Sequence, residues 1–463
     1  MRICCAYAVK APTGLSWPGI LQNYQKRTEE ISTWLKNEIT DSDVTFVNKI
    51  VSAETTDEEL LEITQFDGVL VFLLAHGTGI GQRLVSKMRH GLIIDDPFGG
   101  SGDLIRISGI IHKEKYPVQT VGTQDMEALL HKIRVYLAVP RIAGSRILVF
   151  KNFEKMTPVK EAEMVRSIGT GSTMKRYRAG KAGFDETVRQ IKDTFSIDVV
   201  MKDLKALKQY MSGADEEKAK QYAEKWTANA EKVVEPSSSD ILAAAKMYLA
   251  LTEAKKETHA DVVSIDCILM FFAYDMGVYP CLSFFEMNNN GEIGICEGDL
   301  DSAISSLIIQ KISGRPGFVS DPFVDTEKNQ ITYAHCVASA KPFGPKTSPY
   351  PYRIRTHSED ESSAAVQVML PAGYPVTTIK ISAANKAMSI HSGESIGNID
   401  TASGCRTKLV AKIPSSRILL NNWHNELFSW HRVTVYGDYR NDFMDIAQYF
   451  NLKVYEEDKE NCN

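Results

Sequence analysis

The chain has 463 residues, a formal net charge of −5, 43% hydrophobic residues and 24% charged residues. That length exceeds one ordinary core and predicts two or three domains, and the composition is that of a folded protein, not a disordered one. The small negative charge argues against general affinity for nucleic acid, because no excess of Lys and Arg is present to neutralise phosphates.

In chain order, "MRICCAYAV" reads as a first β-strand, its apolar run being too short for a signal segment. "DVTFVNKIV" continues as a strand, "SAETTDEELLEIT" as an acidic helix and "GVLVFLLAHGTG" as a buried strand. "QDMEALLHKIRVYLAV" is the next helix and "SRILVFKNF" the next strand. Such alternation predicts a parallel sheet with helices on both faces over residues 1–145. His76 follows "VFLLA", beyond the carboxyl end of a strand, where ligands of such sheets sit. A satisfied loop histidine is the competing reading.

A second α/β unit is expected over 146–318. It contains "SIGTGSTMKRY", whose glycines lack the spacing of a phosphate-binding loop. The strand "FSIDVVM", a polar helix from Ala214 to Val233, and "EPSSSD" follow, the last supplying caps for the helix "ILAAAKMYLALTEAKK". "ADVVSIDCILMFF" reads as a buried strand. Over 319–463 the texture changes to short β-rich segments broken by Gly, Pro and Asn, such as "AAVQVMLPAGYPVTTIKIS" and "CRTKLVAKI". These predict antiparallel sheet or barrel. "PFGPKTSPYPYRIRTHSEDESS" reads as a long loop, and loops of that length are often functional. The fold class expected is therefore two doubly wound α/β domains followed by a β-rich, barrel-like domain. No stretch approaches the ~20 apolar residues of a bilayer span. The eight cysteines contain no CxxC pair, which predicts free thiols in a reducing cytoplasm.

The stretch "GICEGDLDSAISSLIIQKISGRPGFVSD" places Glu297 just before an amphipathic helix and Asp321 just after the turn that follows it. Leu300, Ala303, Ile304, Leu307, Ile308 and Ile312 form one apolar stripe. Asp299 or Asp301 caps the start, and Gly314 with Pro316 stops the helix. Two acids at opposite ends of such a helix meet only if the chain after Gly314 doubles back. The bland reading makes Glu297 a charge near a helix N-terminus and Asp321 a turn residue. Later, "NNWHNELFSWHRVTVYGDYRNDF" packs Trp, His, Asn, Arg and Asp together, a mixture that suits a polyol site better than a core. One imidazole with two carboxylates suits Mn²⁺, Mg²⁺ or Co²⁺ at an open site. Trp423, Trp430 and Arg432 are candidate pocket residues, each with ordinary packing as its alternative.

Three blocks, "CEGDLDSAISSLIIQKISGRPGFVSD", "GCRTKL" and "WHRVTVYGDYRNDFMDIAQYFNLKV", give the chain a resemblance to the L-fucose/L-arabinose isomerase family, in its shorter fucose-isomerase-like branch. The resemblance implies that Glu297 and Asp321 are acidic metal ligands and catalytic groups, and that His431 is the histidine ligand. It places His335, in "ITYAHCVAS", close to metal and substrate, and implies a homo-oligomer, trimer or hexamer, in which His76 contacts substrate across a subunit interface. The expected activity is a Mn²⁺-dependent ketol isomerisation of an open-chain sugar, deoxy-sugar or modified sugar, with Co²⁺ or Mg²⁺ as alternative metals and neither nucleic acid nor membrane as partner. A non-catalytic sugar-binding protein and a metal-dependent hydrolase or aldolase are the competing readings. The chain departs from the family's pattern at Asp266, at "CLSFFEMNNNGE" and in its shorter length.

Overall fold

The computed structural model describes residues 1–11, 16–154, 156–168, 172–273 and 276–460. The glycine loop "GTG" at 169–171 lies outside the described residues. The chain divides into two compact units, one of Met1–Ala143 with Asn441–Leu452, the other of Gly144–Arg440 with Lys453–Asn463.

In the first unit the apolar runs become a five-stranded parallel sheet, ordered Thr45–Val51, Arg2–Ala8, Gly68–Leu73, Gly91–Asp95, Val118–Gly122. Its two central strands are buried throughout except at Arg2, as expected where helices cover both faces. The helix Asp57–Ile63 begins with a capping box, in which Thr56 and Glu59 satisfy each other's backbone N–H groups.

The second unit carries a four-stranded parallel sheet, ordered Ile293–Ile295, Val262–Ile265, Arg146–Phe150, Asp198–Lys202. After it comes an antiparallel barrel of six strands. Around the barrel these are Tyr374–Ser382, Arg432–Tyr436, Phe318–Asp325, Gln330–His335, Thr407–Lys412 and Ala387–Asn398, and the last pairs with the first to close the ring. Closure removes the sheet edges that an open antiparallel sheet would expose. The expected class, two parallel α/β layers and a barrel-like C-terminal region, is the observed one.

Two local expectations are corrected. The strand read into "ADVVSIDCILMFF" ends at Ile265, and Cys267–Ala273 is helix. Asp266 causes the change, because its carboxylate accepts from the Leu269 N–H at 3.3 Å and so caps a new helix. The long loop contains the strand Tyr352–Arg355, which pairs with Ala365–Val368 and Lys232–Val233.

The helix Leu300–Ser313 is buried along most of its length between the parallel sheet and the barrel. Asp299 caps it, and Gly314 ends it in the left-handed conformation that glycine adopts without penalty (φ 66°). The chain then returns as the barrel strand Phe318–Asp325. That reversal lets the acids at its two ends approach one another.

Candidate metal centre

Glu297 follows the strand Ile293–Ile295 and sits in a short turn at the carboxyl end of the parallel sheet. Its backbone is left-handed, φ 63° and ψ 15°, and Gly298 follows at φ 60°. A non-glycine residue held there carries strain of order 1 kcal/mol or more, a cost met where the surroundings fix the position of a working side chain. The other candidates come from three adjacent barrel strands. Ser320 pairs with Arg432, so Asp321 and His431 are the next residues along that ladder. Asp321 pairs in turn with Ala334, the neighbour of His335.

Ligand atoms of Glu297, His335 and His431 all lie within 4.8 Å of one another. The His431 Nε2 is 3.6 Å from Glu297 Oε1 and 3.1 Å from Asp321 Oδ1. The His335 Nε2 is 3.9 Å from Glu297 Oε1. Despite this crowding, Asp321 Oδ1, His335 Nε2 and His431 Nε2 are buried without an aligned hydrogen-bond partner. Buried polar atoms are normally paired. The two imidazole orphans, grouped with the Glu297 carboxylate, fit a divalent cation, which would satisfy both together. This group brings together Glu297, His335 and His431 from the sequence analysis, and Asp321 touches it through His431.

The far side of His431 is also fixed. Its Nδ1 lies 2.9 Å from Asp299 Oδ2, and that carboxylate also accepts from Lys380 Nζ at 2.6 Å and from the Ser302 N–H. Asp299 thus caps the central helix and orients the imidazole, leaving Nε2 turned to the cluster. Burial pushes the Asp299 carboxyl upward, but Lys380 and His431 reverse this and hold it well below the usual carboxylate range. Glu297 behaves similarly: burial opposes its charge, and His431, then His335, bring it down. Burial disfavours the His431 cation, whereas Glu297 and Asp321 favour it and win, so it rises well above the ordinary imidazole value. Asp301, in the first turn of the helix, moves the other way, to about 6, because burial dominates.

Glu297, Asp321 and His335 open onto a cavity of about 450 Å³, the size of a small-molecule site. Trp430 lines it and is 58% exposed. Sequence reasoning had not picked out Phe271, Tyr279, His357 and Glu359, which also line it. His357 and Glu359 come from the long loop, whose length was the available signal; the Tyr279 and His357 rings stack at 4.3 Å.

Other candidates fall elsewhere. Arg432 has no exposed surface. Its guanidinium pairs with Glu457 at 2.6 Å and stacks 3.7 Å from the Trp423 ring. Both residues therefore serve packing inside the second unit, facing away from the cavity. His424 bonds Glu426, and Arg353, Arg355 and Arg440 are engaged by acidic side chains. His76 belongs to the first unit, with its Nδ1 3.3 Å from the Gly100 carbonyl and 3.6 Å from Asp103 Oδ2. No described helix is long and apolar enough to cross a membrane.

No family model matches the sequence. Part of the chain is similar to proteins named sulfoquinovose isomerase. It is 24% identical over 225 residues to that of Alkalicoccus urumqiensis, covering 46% of this chain and 48% of that protein. It is 25% identical over 202 residues to that of Priestia aryabhattai, covering 42% and 44%. For the Clostridium sp. (strain MSTE9) protein the figures are 26% over 229 residues, 47% and 44%. The chain thus spans under half the length of the curated relatives it matches.

Proposed function

We propose that this protein is a divalent-metal-dependent ketol isomerase that interconverts an open-chain aldose and its ketose by proton transfer between C1 and C2. The observation that carries the reading is the convergence of Glu297, His335 and His431, with both imidazole Nε2 atoms buried without a hydrogen bond and Asp321 3.1 Å from one of them. The similarity to sulfoquinovose isomerases supports a modified sugar as substrate, with sulfonated sugars first in line beside deoxy-sugars.

Glu297, Asp321 and His431 would hold the ion, with His335 as a fourth donor, and Mn²⁺ is the metal we favour over Co²⁺ or Mg²⁺. When bound, the ion supplies Lewis-acid stabilisation of the enediolate that develops across O1 and O2. The protein's own groups do the rest. Glu297 and Asp321 stand beside the reacting carbons and move the proton, a contribution of typically ~10²–10⁴-fold. Asp299 fixes the imidazole of His431, and Lys380 offsets the charge that Asp299 adds in a buried place. Trp430 offers a ring to the C–H face of the sugar, and Phe271 and Tyr279 restrict water. We further propose that the protein works as a homo-oligomer, with His76 contacting substrate of a neighbouring subunit.

The test is NMR in D₂O with metal-stripped protein, with and without Mn²⁺, over sulfonated, deoxy and unmodified aldoses. Metal-dependent ketose carrying deuterium at the exchanging carbon is the expected result. Protein that binds Mn²⁺ yet converts none of these sugars would overturn the isomerase reading.

A further inference from the structure

Cys267, Cys281, Cys296, Cys336 and Cys405 all line the cavity that holds Glu297, Asp321 and His335, and all are free thiols. They arrive from five separate places in the chain. Buried free cysteine usually serves as a small hydrophobe, and that suffices for Cys4 and Cys5 in the first unit's central strand. It does not account for five thiols on the wall of a cavity that also carries imidazoles and carboxylates.

Within this wall three of the thiols pack together. Cys281 and Cys336 pack in one small cluster, and the partly exposed Cys405 packs against it. The barrel ladder between Gln330–His335 and Thr407–Lys412 ends with His335 opposite Thr407. Just past that last pair, the Arg406 N–H donates to Cys336 Sγ at 3.5 Å. Cys336 and Cys405 therefore leave adjoining strand ends, with Cys405 packed against the cluster that holds Cys336.

We propose that Cys336 and Cys405 form a reversible thiol-oxidation site responsive to hydroperoxides. Cys405, the more accessible thiol, attacks the O–O bond of the hydroperoxide through its sulfur, and its proton passes to the departing oxygen. Its sulfur becomes a sulfenic acid and the departing oxygen leaves as water or alcohol. The Cys336 sulfur then displaces the sulfenic oxygen as water, forming the S–S bond. Two thiols and one hydroperoxide give one disulfide, one water, and one alcohol or second water. A thiol reductant resets the pair by exchange. Because Cys336 is the chain neighbour of His335, closing this bond displaces an imidazole of the ligand group. Only this last consequence, loss of metal, rests on the metal-centre reading.

The experiment uses the full chain loaded with Mn²⁺, exposed to hydrogen peroxide, then alkylated and digested without reductant. Mass spectrometry should find a Cys336–Cys405 linked peptide pair, about 2 Da lighter than its reduced parts by loss of two hydrogens, that dithiothreitol abolishes. Electron paramagnetic resonance on the same samples should show Mn²⁺ held at least ~10-fold more weakly after oxidation, as when a ligand's support is disturbed, and Cys405→Ser should abolish both effects. A different cysteine pairing, irreversible sulfonic acids alone, or five thiols still open to alkylation would overturn the proposal. A linked pair in protein that never bound Mn²⁺ would uphold the thiol site and count against the metal centre.

Discussion

Glu297 is the residue on which the site turns, because a left-handed backbone is maintained there to aim one carboxylate at two imidazoles. Glu297→Gln and Asp321→Asn each keep size and remove charge. Turnover should fall by ~10²-fold or more in each, with far-UV circular dichroism unchanged; near-normal turnover in Glu297→Gln would sink the metal-centre proposal. Asp299→Asn addresses the support of His431. It should weaken Mn²⁺ binding by ~10–100-fold, read by electron paramagnetic resonance on apo-protein titrated with the metal. The helix between Glu297 and Asp321 was legible from its apolar stripe and glycine stop, and the reversal after it sets both acids beside His431. Asp299 could be read only as a cap. Its bond to His431 joins residues 132 positions apart, and no local pattern encodes that. Arg432 shows the opposite failure: it looks like a pocket arginine from its neighbours, yet one step along a strand reverses the face on which a side chain emerges.

At the scale of elements, the barrel strand Arg432–Tyr436 is held from behind by Glu457, which accepts from Arg432 at 2.6 Å and from His391 at 2.8 Å. Burial alone would raise the Glu457 carboxyl. Arg432, then His391, more than reverse this and bring it to about 2. A carboxyl depressed on folding stabilises the protein above its unfolded value, near 4.5, and that stability is lost as pH falls towards 2. The effect is on the order of 3 kcal/mol. Thermal melts of wild type should therefore drop in midpoint between about pH 4.5 and 2. Glu457→Gln should melt lower at neutral pH by a similar order, because it strands a buried guanidinium, and should lose much of the acid dependence. The strand pattern itself was plain in "HRVTVYG", and short β-rich segments such as "CRTKLVAKI" announced an antiparallel region. A barrel-like region was expected there, but the strands that meet around it were not all legible: Tyr374–Ser382 and Ala387–Asn398 pair as a local hairpin, whereas Arg432–Tyr436 returns late in the chain to pair with both Tyr374–Ser382 and Phe318–Asp325. Helix Cys267–Ala273 was misread because "CILMFF" is apolar throughout, and a buried helix and a buried strand share that composition.

For the molecule as a whole, the division into units does not follow the order of the chain. The first unit is completed by Asn441–Leu452. There the Tyr449 ring packs tilted against Tyr136, centroids 5.4 Å apart, and His131 bonds Asp442 at 2.8 Å. Gln119 donates to the Asp445 carbonyl at 3.1 Å. Ending the chain at Tyr439 should therefore loosen a region far away in sequence. Amide exchange in the helix Met126–Ala143 should accelerate markedly relative to the full chain, with the strand Arg2–Ala8 affected less; equal protection in both proteins would contradict the role given to the C-terminal helix. Apolar alternation made the first parallel sheet legible, whereas the late return of the chain to it was not, because "DFMDIAQYF" is an ordinary amphipathic helix with no mark of its destination.

That return has a consequence for synthesis. A ribosome that has just made Ala143 must add 297 further residues before Asn441, the first residue of the returning segment, exists. At about 5–20 residues per second the N-terminal sheet waits roughly 15–60 seconds with the Tyr136 side of its helix uncovered, a window in which a nascent-chain chaperone has its natural binding surface.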